Sequence, residues 1–216
     1  MEILLIRHGE TAWNAERRLQ GHLDVPLNEH GRRQAEALAA ALGGEPLDAV
    51  FASDLQRAVQ TAQPLAAAHG QPVRTDASLR ERCYGAFEGL LYDEIAGHFP
   101  VAHAAWQARE PDARFPAGRH VAETLHEFVQ RALAAVSALA RSPGYRRIAV
   151  VTHGGVLEAL HRSLCDGERT PVRDFEIPNA GINRLRHDGQ RLHIERWAEV
   201  AHLQRLGQAA LDEIDG

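Results

Sequence analysis

Ile-Leu-Leu-Ile-Arg-His-Gly at residues 3–9 and Ile-Ala-Val-Val-Thr-His-Gly at residues 148–154 are the two stretches that decide the fold of this chain. Each has four aliphatic residues, then one polar residue and a His-Gly pair. Short apolar runs that stop at Gly are typical of strands buried on both faces, as in a parallel sheet covered by helices. The carboxyl ends of such strands form the ligand crevice of the sheet. The repeat therefore predicts that the imidazoles of His8 and His153 lie around one site.

The length of the chain favours one domain. A chain of 216 residues buries roughly 70% of its unfolded surface, so it needs neither a disulfide nor a metal in order to fold. We therefore expect a single domain over residues 1–216. Residues 97–118 contain prolines and have no clean hydrophobic period. We expect an irregular cap or lid there, within an insertion at about residues 83–120.

Charge and composition narrow the classes of function and location. The net charge of −5 and the pI near 6.2 argue against a nucleic-acid surface, which requires clustered Lys and Arg on a basic domain. Any anion site must then be a local pocket. Cys83 and Cys165 have neither metal-ligand nor redox spacing, as is typical of reduced cytosolic thiols. The apolar run at residues 3–6 is too short for a signal peptide or a membrane span. We expect a cytoplasmic protein that does not bind membranes.

Predicted strands and helices alternate along the rest of the chain. Further strands are predicted at residues 49–52 and 72–74, and a hairpin at residues 182–187 and 191–197. Helical spacing of apolar residues predicts helices over residues 31–42, from a cap at Ser53 or Asp54 through Ala66, over residues 121–139 and from Gly154 onward. This alternation predicts an α/β fold. It would be a three-layer α/β/α sandwich with a mostly parallel central sheet, helices on both faces and an irregular cap insertion, in which the hairpin could form an antiparallel edge.

The residues at the strand ends suit phosphoryl transfer. A neutral imidazole such as that of His8 can attack phosphorus, and the guanidinium of Arg7 can bind phosphate oxygens and lower the imidazole pKa by charge repulsion. Arg57 lies one helical turn after a strand end and can supply a second fork of donors. The helix that follows His153 adds backbone N–H groups and a positive dipole end, both favourable to an anion. Arg7 and His8 share a pocket only if the chain turns at Gly9, because adjacent strand residues point to opposite faces.

A leaving alkoxide needs a proton, and Glu81 is the acidic residue best placed to give it. For that role Glu81 must be protonated near neutral pH, above the ordinary carboxyl pKa of about 4.3. A bound phosphate dianion would raise this pKa and the arginines would lower it, so the sequence leaves the balance open. The alternative interpretation is a surface ion-pair cluster of Arg80, Glu81 and Arg82. Arg82 is also a candidate for contact with the substrate.

The segment Leu-Ile-Arg-His-Gly-Glu-Thr at residues 5–11 resembles the signature of the histidine phosphatase superfamily, the phosphoglycerate mutase-like group. The resemblance continues through residues 53–58, 79–81 and 152–155, and it covers nearly the whole chain. It implies that His8 is phosphorylated on its imidazole and that water then releases the phosphate. Arg7, Arg57 and His153 would hold the phosphoryl group, Glu81 would donate the proton, and Asn14, Gln20 and Gly21 would lie near the substrate phosphate.

The resemblance also implies that the reaction needs no metal, and we expect no cofactor. The histidines of the chain form no His-x-x-x-His or Cys-paired motif with acidic support. The expected partner is a phosphorylated small molecule, and the chain is expected to be a monomer or a homodimer.

Two departures from the family pattern bear on the reaction. Cofactor-dependent mutases of this group have Asn where this chain has Gly155, and residues 87–90 (Phe-Glu-Gly-Leu) are similar to an element of the broad-specificity phosphatases. We therefore expect a metal-independent phosphatase that hydrolyses phosphomonoesters through a phosphohistidine on His8. The alternatives are a phosphoglycerate mutase that uses the same phosphohistidine, and a catalytically idle phosphate-binding or interaction module. Arg119 and His120 stand where many relatives have Glu-Ser, which predicts extra positive charge at the cap.

Overall fold

A computed structural model describes residues 1–165 and 173–206. The strands are β1 (Glu2–Arg7), β2 (Ala49–Ala52), β3 (Val73–Thr75), β4 (Arg147–Thr152), β5 (Ile182–His187) and β6 (Leu192–Glu199). The helices are α1 (Ala12–Ala15), α2 (Glu29–Leu42), α3 (Gln56–Ala68), α4 (Tyr92–His98), α5 (Pro100–Gln107), α6 (Leu125–Ala140) and α7 (Gly154–Leu164). Short 3₁₀ helices lie at Ala77–Leu79, Gly85–Phe87 and Ala201–Leu206.

The strands form one six-stranded sheet with the order β3-β2-β4-β1-β5-β6. β3, β2, β4 and β1 are parallel, whereas β5 is antiparallel to both β1 and β6. The predicted α/β fold with a mostly parallel sheet is confirmed, and the hairpin supplies the antiparallel edge.

Helices cover both faces of the sheet because both faces of β1 are apolar. Ile3 and Leu5 pack with α6 and α7, whereas Leu4 and Ile6 pack with α2 and α3. Successive strand residues alternate between the two faces, and burial of each such side chain contributes about 1.5–3 kcal/mol. The result is the predicted three-layer sandwich. None of the helices within residues 1–165 and 173–206 has the length and apolarity needed to cross a bilayer.

The cap is more regular than the sequence predicts. Its first half forms two helices, α4 and α5, and Pro100 stands at the start of α5, where its missing N–H is not needed. No residue of α5 is fully buried, so the helix lacks the apolar stripe that would identify it in the sequence. An aromatic cluster holds the cap together instead, with the ring centroids of Phe87 and Phe115 only 4.5 Å apart. The prediction of an irregular segment over residues 97–118 is therefore wrong for residues 100–107, which form α5.

The expected side-chain caps of α3 are also wrong. The N-cap residue is Leu55, and the backbone N–H of Gln56 donates to Oδ1 of Asp24 at 2.7 Å. The carboxylate of Asp54 instead accepts two hydrogen bonds from Arg80, each 2.6 Å long. Asp24, 32 residues away in the sequence, thus takes the place of a local N-cap side chain. Hydrophobic periodicity cannot predict such a long-range contact.

α6 begins four residues later than predicted, at Leu125. Thr124 caps it: its hydroxyl accepts from the N–H of Glu127, whose carboxylate accepts from the N–H of Thr124. Val121, the predicted first residue, lies outside the helix and is 69% exposed.

Candidate active site

His8 and His153 lie side by side at the carboxyl edge of the sheet. Arg7, the last residue of β1, is opposite Thr152, the last residue of β4, so each strand is followed by a histidine at the same level. The two ring centroids are 5.2 Å apart and the ring planes meet at 58°. Both side chains are buried, and the structure thus brings together the two imidazoles that the repeated motif singled out.

Arg7 and His8 line the same cavity, although neighbouring strand residues point to opposite faces. They can do so because β1 ends at Arg7 and His8 lies beyond the strand. Gly9 is not in the left-handed region. A Cβ at this position would lie 2.7 Å from the carbonyl oxygen of Gly31. Glycine is therefore needed here for close approach of two backbone segments, and not for the positive φ that a tight turn would require.

Hydrogen bonding fixes the tautomer of His8. Its Nδ1 lies 2.7 Å from the carbonyl oxygen of Gly9. A carbonyl only accepts hydrogen bonds, so Nδ1 carries the proton and Nε2 keeps its lone pair. Burial, followed by the charges of Arg57 and Arg7, holds the pKa of His8 well below its ordinary value. The predicted charge repulsion is present, and burial is the larger cause. The ring is neutral at physiological pH and Nε2 can act as a nucleophile.

Arg57 brings a buried guanidinium from α3 to the cavity. Nη1 donates to the carbonyl of Leu23 at 2.9 Å and Nη2 to that of Gly21 at 2.8 Å. Its Nε has no hydrogen-bond partner within the described part of the chain. Burial lowers the pKa of Arg57 to about 10, so the group stays charged at neutral pH. A buried cation with a donor still to satisfy suits an anion.

The ring of His153, which lies beside that of His8, can still form hydrogen bonds. Neither ring nitrogen has a partner among residues 1–165 and 173–206. Burial, followed by the charges of Arg57 and His8, holds the pKa of His153 well below its ordinary value, so the neutral ring offers one N–H donor. His153 is also the N-cap residue of α7, whose first-turn N–H groups and dipole favour an anion. Arg7 completes the set, with Nη1 donating to the carbonyl of Ile177 at 2.7 Å.

Glu81 also lines this cavity, and its carboxylate is held on both sides. The N–H of Gly155 donates to Oε2 at 2.9 Å and the N–H of Arg82 to Oε1 at 2.8 Å. Burial raises the pKa of Glu81 above its ordinary value, and it outweighs those two N–H groups and the charges of Arg57 and Arg7. The balance that the sequence leaves open thus results in a raised pKa, which is the direction that a general acid needs.

Gly155 leaves no room for a side chain beside this carboxyl. A Cβ at Gly155 would lie 2.2 Å from Oε1 of Glu81. The residue that distinguishes this chain from the mutases is therefore in direct contact with the candidate proton donor.

Asn14, Gln20 and Gly21 line the cavity as well. Oδ1 of Asn14 accepts from the N–H of Thr11 at 2.9 Å, and the single hydroxyl hydrogen of Thr11 is then free for Oε1 of Gln20 at 3.0 Å. Gly21 has a φ of +51°, and a Cβ there would lie 2.1 Å from Oε1 of Glu88. Seven of the eight residues that the sequence analysis assigned to the site thus line this cavity, and the eighth, His153, lies directly behind it with its ring centroid 5.2 Å from that of His8. Among the described residues, no group of three or more His, Cys, Asp or Glu side chains could hold a metal ion.

Comparison with known proteins identifies the family. The profile of the histidine phosphatase superfamily (branch 1) matches residues 3–200. This chain belongs to that superfamily. It is 42% identical to phosphoglycerate mutase-like protein 4 of Arabidopsis thaliana, over 95% of this chain and 88% of that one. It is 36% identical to the metal-independent phosphoserine phosphatase of the same plant, over 95% and 84%. The solved structure of Bacillus stearothermophilus YhfR has a TM-score of 0.82 and 33% identity, and the match covers 94% of this chain and 98% of that one.

Several residues of this histidine phosphatase site were missed by the sequence analysis. Tyr84, Tyr92, Glu158 and Arg173 line the cavity. Tyr92 comes from a helix that was not predicted, and Glu158 lies on the polar side of α7, where it resembles any solvated helix charge. These four residues can be assigned to the site only from the three-dimensional structure, which places them near the carboxyl ends of the strands.

A second cavity of this histidine phosphatase adjoins the first. Both are lined by Tyr84, Gly155 and Glu158. The walls of the second cavity combine aromatic rings with charged groups and include Trp106, Phe115, Phe128, Arg82 and Arg109. Arg109 and Glu158 form an ion pair of 2.6 Å that joins the cap to α7.

The positive charge predicted at the cap from Arg119 and His120 lies outside the two cavities, whereas Arg82, the candidate for substrate contact, lines the second one. Arg119 and His120 are exposed and line neither cavity. Arg82 is only 4% exposed, and its Nε and Nη2 donate to the carbonyl of Glu123 at 3.1 and 3.0 Å. Its guanidinium also lies over the ring of Phe115, 4.6 Å from the centroid.

Proposed function

We propose that this histidine phosphatase is a phosphomonoesterase that forms a phosphohistidine on His8 and passes the phosphoryl group to water, without a metal or a cofactor. One observation carries the proposal: the neutral ring of His8 shares a buried cavity with the guanidinium groups of Arg7 and Arg57 and with the carboxyl of Glu81. Its relatives include a phosphatase named as metal-independent. These features together supply a nucleophile, an anion clamp and an acid.

In the first step, Nε2 of His8 attacks phosphorus and the bond between phosphorus and the ester oxygen breaks. Arg7, Arg57 and His153 stabilise the charge on the phosphoryl oxygens, and Glu81 gives its proton to the leaving oxygen. In the second step, water attacks the phosphohistidine and the Glu81 carboxylate takes the proton of that water. Nε2 regains its lone pair, inorganic phosphate leaves, and Glu81 is protonated again.

The residues that line the second cavity favour one class of substrate. Gly155 binds the carboxyl of Glu81 and lines both cavities, so the proton donor stands at their junction. An alcohol that leaves beside Glu81 would extend into the second cavity. Arg82 is a buried cation there with no carboxylate within ion-pair distance in the described part of the chain, and buried charges are normally compensated. We therefore favour small phosphomonoesters whose alcohol carries an anionic group, as phosphoserine and phosphoglycerate do.

The same proposal extends to the organisation of the chain. We take residues 1–216 as one catalytic domain in which the insertion at about residues 83–120 is the cap over both cavities; residues 166–172 and 207–216 lie outside the described residues. The cytoplasmic location, the lack of nucleic-acid and membrane partners, and the choice between monomer and homodimer stay predictions.

Phosphate release tests the proposal directly. The purified protein is incubated with p-nitrophenyl phosphate and with a panel of phosphorylated hydroxy acids, in the presence of EDTA. We expect inorganic phosphate to be released and EDTA to have no effect. Bisphosphate-dependent interconversion of 3- and 2-phosphoglycerate, with little release, would favour a mutase, in line with the name of the 42% identical relative. Phosphate binding without turnover of any ester would indicate an idle module.

Glu81→Gln should slow the hydrolysis of alkyl phosphates, which have poor leaving groups, by about 10²–10⁴-fold, the usual contribution of a general acid. Its effect on kcat/KM for p-nitrophenyl phosphate should be much smaller, because kcat/KM reports the transfer to His8 and that leaving group needs no proton. In the unsubstituted protein, kcat/KM for alkyl esters should fall as the pH drops through the lowered pKa of His8 and should fall again as the pH rises through the raised pKa of Glu81.

The pH profile of Glu81→Gln should lack the alkaline limb that belongs to this carboxyl. Glu94→Gln is the matched control, since Glu94 only accepts a hydrogen bond from the N–H of Leu91 at the start of α4. An equal loss of rate for both classes of ester would remove Glu81 from the role of acid.

A further inference from the structure

The guanidinium of Arg131, on α6, binds several backbone carbonyls of the loop that carries Glu81. Nη1 of Arg131 donates to the carbonyls of Ser78 and Arg80, both at 2.9 Å, and Nη2 donates to the carbonyl of Glu81 at 3.1 Å. Three of four successive carbonyls of this loop thus have the same partner. The fourth, that of Leu79, accepts from the hydroxyl of Thr152 at 2.7 Å.

This loop has no strand partner to fix it. Residues 80–84 belong to neither a helix nor a strand. Some of their backbone groups bind other backbone groups, such as the carbonyl of Cys83, which accepts from the N–H of Glu123 at 2.9 Å, and the others need side chains or water. Arg131 provides a rigid planar fork of donors in the place of a neighbouring strand. The position of the Glu81 backbone therefore depends on a side chain from α6, together with His22, whose Nε2 lies 2.8 Å from the same Glu81 carbonyl.

A carboxylate fixes the fork in turn. Nε and Nη2 of Arg131 donate to Oε1 and Oε2 of Glu123, each at 2.7 Å. The N–H of Cys83 donates to Oε2 of Glu123 at 2.9 Å. Burial acts to raise the pKa of Glu123, but the hydrogen bonds from Arg131 and Cys83 outweigh it and lower that pKa. The paired charges hold the loop on both sides of Glu81, at residues 78–80 and at Cys83.

Arg131 contacts the backbone of Glu81 and not its carboxylate, which Gly155 and Arg82 hold. It lines neither cavity, so it does not touch a substrate that binds there. We propose that Arg131, locked by Glu123, is the positioning residue for the proton donor: it sets the Glu81 carboxyl at the leaving oxygen and serves the proton transfers of Glu81, not the binding of the phosphoryl group. This inference rests on the proposed function of Glu81.

The test compares esters in a double-mutant cycle. Arg131→Met should reduce kcat/KM for alkyl phosphates by about 10²-fold, the effect of displacing a catalytic group by about 1 Å. It should change kcat/KM for p-nitrophenyl phosphate by less than about threefold, because kcat/KM reports the transfer to His8 and not the later attack of water, in which Glu81 also acts. In the Glu81→Gln background, Arg131→Met should cause no further loss, because residues that act through one group are not additive. The alkaline limb of the pH profile for alkyl esters should also shift in Arg131→Met alone.

Arg114→Met is the matched control. Arg114 bonds the carbonyl of Ala122 and the carboxylate of Glu127 on the same helix, but it contacts neither the Glu81 loop nor the cavities. It should leave both rates unchanged. If Arg131→Met does not fold, as judged by circular dichroism, Arg131→Lys provides the same comparison, because an ammonium cannot reproduce the fork.

Two outcomes would overturn the inference while leaving the phosphatase proposal intact: an equal loss for both classes of ester, or a loss that adds fully to that of Glu81→Gln. Failure of the unsubstituted protein to hydrolyse any ester would instead refute the proposed function itself.

Discussion

His8→Ala is expected to reduce the turnover of every phosphomonoester by about 10⁴-fold or more, because it removes the group that forms the covalent intermediate. The neighbouring groups cannot replace it. His153 is also neutral, but it stands at the N-cap of α7, and the role proposed for it is to donate to the phosphoryl oxygens. The loss should therefore be of similar size for alkyl and for activated esters, unlike the loss in Glu81→Gln.

Rapid-quench mass spectrometry during turnover checks this prediction. The unsubstituted protein should show an acid-labile gain of one phosphoryl group on the peptide that contains His8, and His8→Ala should show none. His69→Ala is a suitable control, since His69 bonds the carbonyls of Leu65 and Glu45 and lines neither cavity. Turnover of His8→Ala within tenfold of the unsubstituted rate, or an adduct at another residue, would contradict the mechanism.

The sequence predicted the convergence of the strand ends because that convergence depends on local signals. Buried parallel strands read as continuous apolar runs, and their carboxyl ends meet at one edge. β1 and β4 are paired so that Arg7 lies opposite Thr152. This register is expected because each apolar run has four residues and both runs are fully buried in the sheet. The histidines therefore could be placed before any three-dimensional information was available.

The electrostatics of Glu81 could not be predicted in the same way. Burial raises its pKa, whereas two backbone N–H groups and the charges of Arg57 and Arg7 lower it. Burial is the largest of these effects, and it depends on the three-dimensional packing around the carboxyl. The cap itself is held by aromatic rings that lie far apart in the sequence, such as Phe87 and Phe115. No hydrophobic period records such a cluster, so neither α5 nor the second cavity was predicted.

The support of the Glu81 loop was missed for a related reason. In the sequence, Arg131 and Glu123 are ordinary charges near the start of a helix. Their importance comes from the backbone carbonyls that they face, and a sequence does not show which carbonyls lack a strand partner. The two His-Gly motifs, which are local in the sequence, thus define the centre of the site, and long-range polar contacts such as those of Arg131 complete it.

Arg57→Met should weaken kcat/KM by about 10²-fold or more, because a charge-assisted hydrogen bond contributes about 1.5–3 kcal/mol. The substitution removes the guanidinium whose Nε is left for a phosphoryl oxygen, and it also removes the donors to the carbonyls of Gly21 and Leu23. Arg57→Lys should restore little of the loss, since an ammonium keeps the charge but lacks the fork. Binding of inorganic phosphate, measured by calorimetry, should weaken in both variants.

The pH dependence separates the two roles of Arg57. Burial is the largest cause of the lowered pKa of His8 and the charge of Arg57 is the second, so Arg57→Met should raise that pKa and move the acid limb of kcat/KM to higher pH. Arg57→Lys retains a cation and should move it less. Arg80→Met is the control, because in the described part of the chain the guanidinium of Arg80 binds only Asp54, at the same edge of the sheet, and it lines neither cavity. If phosphate bound as tightly to Arg57→Met as to the unsubstituted protein and the acid limb did not move, then this guanidinium would neither hold the phosphoryl group nor keep the nucleophile neutral.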